Sequence, residues 1–184
     1  MFKSYFSFKV QYHQIFRVEI TGDMTENKQV VEHFYSCFQK LDWKGMLDCY
    51  GGDVIFYDPV FQNLDGDEVR AMWKMLCLQA RDLRIEYSSI TLDEDYGTCK
   101  WEARYTFSKT GRKVHNRVKA HFKFSNGKIV EHMDAFDIYR WSRQALGIKG
   151  FLFGWASAFK NTISRNARAG LKRFMEREKE AINK

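Results

Sequence analysis

Apolar residues recur at helical spacing through Val30, Val31, Phe34, Cys37, Phe38 and Leu41, which predicts a first helix over Glu26 to Leu41 with Thr25 as its N-cap. A short second helix, Trp43 to Tyr50, stops at Gly51-Gly52. Val54 to Tyr57 reads as a strand that Asp58-Pro59 ends, because proline has no N–H to give the ladder. Leu64-Asp65-Gly66-Asp67 reads as a turn. Glu68 to Ala80 reads as a third helix, with Val69, Met72, Trp73 and Leu76 on one face.

Four long strands follow, over Leu83 to Leu92, Thr98 to Ser108, Lys113 to Ser125 and Lys128 to Phe136. Asn126-Gly127 between the last two is the strongest hairpin signal in the chain. The third of these strands alternates, with Val114, Val118, Ala120, Phe122 and Phe124 on one face and His115, Arg117, Lys119, His121 and Lys123 on the other. An antiparallel meander with one wet face results. The chain closes with a helix from Ile138 to Leu146, a Gly147 stop, and a long amphipathic helix from Phe151 to Ala181. The stripe of that helix is Leu152, Trp155, Phe159, Ile163, Ala167, Leu171 and Phe174. Helices first and a curved antiparallel sheet afterwards give an α+β fold, the sheet wrapped around the N-terminal helices and closing over a pocket at its open end.

The composition fits one domain with a real core: 184 residues, 45% hydrophobic, 16% aromatic and a single proline. Disorder is excluded, and no apolar run approaches the length of a membrane span; the most apolar stretch, Phe151 to Phe159, ends at Lys160. Net charge is +7, and residues 149–184 hold nine basic against three acidic residues. Such a segment attracts phosphate-rich partners or anionic membranes, but no zinc spacing or nucleic-acid motif accompanies it, so nucleic acid is not expected. A membrane-surface role is disfavoured too, since it requires the helical stripe to be exposed rather than packed on the barrel or a dimer mate. Cys37, Cys49, Cys77 and Cys99 lack disulfide spacing and point to a reducing, cytoplasmic setting. Residues 1–23 fail as a secretory signal, and Met24-Thr25-Glu26 looks like a start running into a helix, the alternative being an edge strand from Phe2 to Ile20.

Three residues stand out chemically. Asp58 precedes the proline, where it either caps its own turn or, held against aromatic rings, carries a proton. His132 and Asp134, two apart on the last strand, share a face with Phe136 and suit a base beside an acid. Asp137 caps the helix that begins at Ile138. Lys100, Glu102 and Arg104 oppose Trp101, Ala103, Tyr105 and Phe107, so an inward aromatic face leaves the charged trio outside. No nucleophile motif or phosphate loop is present, and the histidines have no metal-ligand spacing.

Leu41-Asp42-Trp43, Tyr50 with Asp53-Val54 and Phe56, Asp58-Pro59-Val60, Gly66, Thr110-Gly111-Arg112, Gly127-Lys128-Ile129 and His132-Met133-Asp134 with Phe136-Asp137 together resemble the nuclear transport factor two superfamily. The closer likeness is to its SnoaL-like branch of ketosteroid isomerases, polyketide cyclases and limonene epoxide hydrolase, over residues 26–146. The resemblance implies a cone-shaped, cystatin-like α+β barrel over residues 24–148, a homodimer through the sheet, and an apolar pocket for a small hydrophobic molecule. Phe34, Phe56, Trp73, Trp101, Phe122 and Phe136 are the expected lining. Asp58 matches the isomerase base, whereas Phe34, with Tyr35 one residue off the right face, and Ala120 stand where the isomerases carry oxyanion donors. Lys100-Trp101-Glu102 and Asp134 resemble the epoxide-hydrolase set, and Asp134 with His132 matches the acid/base of the cyclases. The implied activity is cofactor-independent proton transfer on a hydrophobic carbonyl or epoxide, with Asp134 as acid/base, His132 as its polariser and Asp58 across the cavity. The alternative is a non-catalytic module of the same fold that binds an apolar ligand or another chain.

Overall fold

The computed structural model describes residues 25–182; the proposed start at Met24 and the extension or edge strand before it lie outside the described residues. Helix α1 spans residues 25–39. After α2 (Trp43–Asp48) come β1 (Tyr50–Tyr57), β2 (Leu64–Asp65) and α3 (Gly66–Gln79). The meander is β3 (Arg84–Asp93), β4 (Tyr96–Phe107), β5 (Arg112–Ser125) and β6 (Lys128–Ala135). Helices α4 (Ile138–Leu146), α5 (Ile148–Phe153) and α6 (Ser157–Ile182) end the chain.

The six strands form one sheet in the order β2-β1-β6-β5-β4-β3. The expectation of a wholly antiparallel sheet needs correction. β1 pairs with β6 in parallel, Phe56 opposite His132, because α3 and the meander carry the chain across the sheet before it returns. Residues 64–65, expected as a turn, instead make the short edge strand β2, and α3 starts directly after it. Register shifts between Tyr50 and Ile55, between Ser88 and Thr91, and between Lys123 and Phe124 bend the sheet. The bent sheet is open, not closed, and its inner face takes up α1. The β5–β6 turn fits its sequence: Asn126 and Gly127 both have positive φ, 51° and 66°, as a tight hairpin of right-handed strands requires.

Val31, Phe34, Tyr35, Cys37 and Phe38 of α1 enter a single core with Val118, Ala120, Phe122 and Phe124 of β5 and Ile129 of β6. The charged positions of β4 and β5 face outward, where Glu102 pairs with Arg104, His115 and Arg117. The C-terminal helix differs from the expectation of one element from residue 151. Gly154 ends α5, and a separate α6 begins at Ser157. Leu171 and Phe174 pack into the main core, and Arg168 donates to the carbonyls of Phe61 and Asn63. The early part of the stripe stays in water: Leu152 is 51% and Trp155 69% exposed. Ile163, Ala167, Leu171 and Phe174 of α6 pack against the domain, whereas the stripe residues on either side of the Gly154 break, Leu152 and Trp155, do not.

Candidate functional site

Period-two geometry on β6 turns His132 and Asp134 inward while Glu131 and Met133 face out. The neighbouring strands set what they meet, with Phe56 and Phe122 flanking His132 and Ala120 beside Asp134. The imidazole is boxed by rings: Phe122 at 4.5 Å between centroids, Phe56 at 5.2 Å, Phe34 at 5.6 Å and Trp73 at 6.0 Å. In so dry a setting polar atoms need partners, and a chain of hydrogen bonds supplies them. Trp73 Nε1 donates to Tyr50 Oη at 2.9 Å, and Tyr50 Oη lies 2.6 Å from His132 Nδ1. His132 Nε2 lies 3.2 Å from Asp134 Oδ1, which also accepts from Trp101 Nε1 at 3.0 Å. The assignment that uses each proton once runs from the Tyr50 hydroxyl to Nδ1 and from Nε2–H to the carboxylate. Burial raises the Tyr50 phenol well above its usual range, with Asp134 adding to the rise, so it stays a donor.

Tyr35 stands apart from this chain. It is fully buried beside Trp101 and Phe122 and stacked on Tyr87 at 5.2 Å, yet its hydroxyl has no oxygen or nitrogen partner among the described residues, only the thiol of Cys99, a weak acceptor, beside it. Its phenol is raised far above the usual range by burial, then by the charge of Asp134 and by the neighbouring thiol of Cys99. A helix seated in a concave sheet has two buried flanks. Phe34 therefore meets Tyr50, Trp73 and His132, while Tyr35, about 100° further round the helix, faces β4 and β5.

Asp58 follows β1 and does what an Asp-Pro turn invites: its Oδ1 accepts from Val60 N at 2.8 Å and Phe61 N at 2.5 Å. It also interacts electrostatically with the interior. Burial pushes its carboxyl up to about 7; the Phe61 N–H opposes the rise, and the charge of Asp134 adds to it. Tyr105, whose hydroxyl accepts from Trp141 Nε1 at 2.8 Å, is raised chiefly by burial and lies within the field of Asp58.

Of the residues expected at the site, His132 and Asp134 touch, and Asp58 acts on Asp134 through its field rather than through a bond. Phe34, Phe56, Trp73, Trp101 and Phe122 are core residues around them, with Phe136 packed at the edge of that core. Lys100 is exposed and Glu102 is engaged in the outer charge network. Sequence reasoning placed Tyr50 in a family motif, Tyr35 one residue off the expected face and Tyr105 on the aromatic face of β4, and gave none of them a polar role in the interior. A buried tyrosine spends its O–H inside the core, and the one available signal was their place among apolar positions on predicted inward faces. Among the described residues no group of three or more His, Cys, Asp or Glu is placed to hold a metal ion.

Clefts open elsewhere among the described residues. One of about 500 Å³ lies between the loop after β1 and α6, lined by Gln62, Asn161, Ser164, Arg165 and Arg168 among others. Another, about 560 Å³, lies near Asp82, Arg104, Lys113 and His115. Neither is lined by Asp58, His132 or Asp134.

The family model of the SnoaL-like domain matches residues 31–132. Among solved structures, an NTF2-like protein from Burkholderia pseudomallei aligns at 23% identity, over 65% of this chain and 97% of that one, with TM-score 0.59. An LEH-like epoxide hydrolase from M. tuberculosis aligns at 20% identity, over 74% and 96%, with TM-score 0.54. AclR from Streptomyces galilaeus aligns at 19% identity, over 69% and 96%, with TM-score 0.56. These likenesses show a shared fold. No curated protein matches the chain.

Proposed function

The chain belongs to the SnoaL-like family, and from that premise we propose that it binds a small hydrophobic molecule bearing a carbonyl or epoxide oxygen and transforms it by proton transfer, without a cofactor. The observation that carries this reading is Tyr35: a fully buried phenol O–H with no oxygen or nitrogen partner among the described residues, beside only the weakly accepting thiol of Cys99 and within the field of Asp134, is a donor available to a ligand oxygen. Sequence correspondence left no oxyanion donor, since Phe34 and Ala120 occupy those positions; Tyr35 offers one from the other flank of α1. Asp134, oriented by Trp101 and His132, is the acid/base, and Asp58, with a carboxyl near neutrality, takes or returns the proton across the interior. The LEH-like neighbour is an epoxide hydrolase, which supports the oxygen-bearing substrate class.

The close ring packing around His132 favours a second reading, in which the same interior is a scaffold and the protein only binds. Native mass spectrometry of the purified protein, followed by turnover assays on hydrophobic ketones and epoxides related to any ligand found, separates the two. Catalysis predicts that Tyr35→Phe lowers kcat about a hundredfold with little change in KM, and that Asp134→Asn abolishes turnover. Asp58→Asn should remove a limb of the pH–rate profile near 7. A bound ligand that none of these variants converts, and that wild type leaves unchanged, establishes the binding module.

A further inference from the structure

Helix α5 and the turn after it form an apolar projection. Ile148 is 77% exposed, Phe151 and Phe153 are each 53%, Leu152 is 51% and Trp155 is 69%. Single exposed apolar residues are ordinary, but five large ones within eight positions are not. The projection is rigidly mounted. Gly150 and Gly154 are buried, and a Cβ on Gly150 would stand 1.9 Å from the Ser142 carbonyl oxygen, so α5 lies hard against α4. Tyr139 Oη donates to the Phe151 carbonyl at 3.2 Å.

Charge distinguishes this surface further. From Ile138 to Met175 the sequence holds eight Lys and Arg residues and no Asp or Glu. Positive charge lies on the projection itself: the Arg143 guanidinium sits over the Phe151 ring at 5.4 Å, and Lys149 belongs to α5. Arg165, Lys172 and Arg173 are exposed along α6, whose opposite side is buried through Ser164, Leu171 and Phe174. Among the described residues no helix is long and apolar enough to cross a bilayer.

We propose that this projection, with the cations around it, is a docking surface for an anionic lipid bilayer. Trp, Phe and Leu side chains enter the headgroup–acyl boundary, and Lys and Arg beside them meet lipid phosphates and carboxylates. The charge selects this occupant over a second copy of the chain. Self-association through the projection would bring Arg143 and Lys149 against their own copies, with no Asp or Glu between Ile138 and Met175 to meet them, whereas an anionic membrane complements them. The condition that disfavoured a membrane role from sequence, an apolar stripe hidden against the barrel, does not hold for Leu152 and Trp155.

The test is co-sedimentation of the full chain with phosphatidylcholine–phosphatidylserine vesicles and with pure phosphatidylcholine vesicles. Binding is expected to the first, to fall steeply with added salt, and to drop at least about tenfold for Leu152→Ser/Trp155→Ser and for Lys149→Glu/Lys160→Glu. Lys149, Leu152 and Trp155 lie at the surface and Lys160 is half-buried, so circular dichroism of the variants should match wild type. Tryptophan emission should shift to the blue on binding in wild type and much less in Trp155→Phe. Absence of binding at low salt, or equal binding by the Ser variant, overturns the proposal. So does light scattering that shows a dimer dissolved by the Ser variant while vesicles capture nothing, which would assign the surface to a second copy. A gain of vesicle binding only after residues 1–24 are removed would mean that this segment occupies it, and also overturns the proposal.

Discussion

Asp58 accepts two backbone N–H bonds, an arrangement that ordinarily stabilises a carboxylate, yet burial outweighs them and lifts its pKa from 3.8 to about 7. The folded state then holds a proton that the unfolded chain has released between these values, so this group favours folding below about pH 4 and progressively less as pH rises to 7. Asp58→Asn keeps an oxygen for the two N–H groups but cannot ionise. The variant is expected to gain stability relative to wild type between pH 5 and 8, read as a rising difference in melting temperature; a difference independent of pH contradicts the assignment. Both readings of this residue, cap and proton carrier, were legible from Asp58-Pro59 and the aromatic positions near it, and the structure realises the cap while tuning the acid. His132 and Asp134 were legible as a pair because a strand repeats every two residues. Tyr50, 82 positions earlier, was not, since nothing local in a sequence says which strand will lie beside β6.

At the level of elements, local chemistry set most boundaries. Asp137 caps α4, its Oδ1 accepting from Tyr139 N and Arg140 N, and Gly147 at φ 62° ends it. The break that separates α5 from α6 was not legible, because the apolar stripe continues through it at helical spacing. Close approach decides there: α5 packs so tightly on α4 that only glycine fits at position 150. Gly150→Ala should therefore cost about 1–3 kcal/mol, measured by chemical denaturation, despite the better helix propensity of alanine. A stabilised variant would show that the two helices do not meet as described.

Across the whole molecule, α6 ties the C-terminal segment to the domain. Leu171 and Phe174 enter the core, Arg168 binds two carbonyls of the loop that follows Asp58 and pairs with Glu68, and Lys74 pairs with Glu178. The surface ion pairs add little, and the buried apolar side chains dominate. Leu171→Ala should cost about 2–5 kcal/mol with a single cooperative transition. A negligible loss would mean that α6 is a detachable appendage.

Hydrophobic periodicity, turn residues and the order of short motifs determined the α+β class, the four-strand meander and the inward pair His132 and Asp134, since these depend on repeats of two or 3.6 residues within one segment. Packing decided the parallel β1–β6 seam, the burial of the Tyr35 hydroxyl beside Cys99 away from any oxygen or nitrogen partner among the described residues, the upward shift of Asp58 and the exposed projection at α5. Each of these depends on which distant segments meet and how much water they exclude, and no local pattern encodes that.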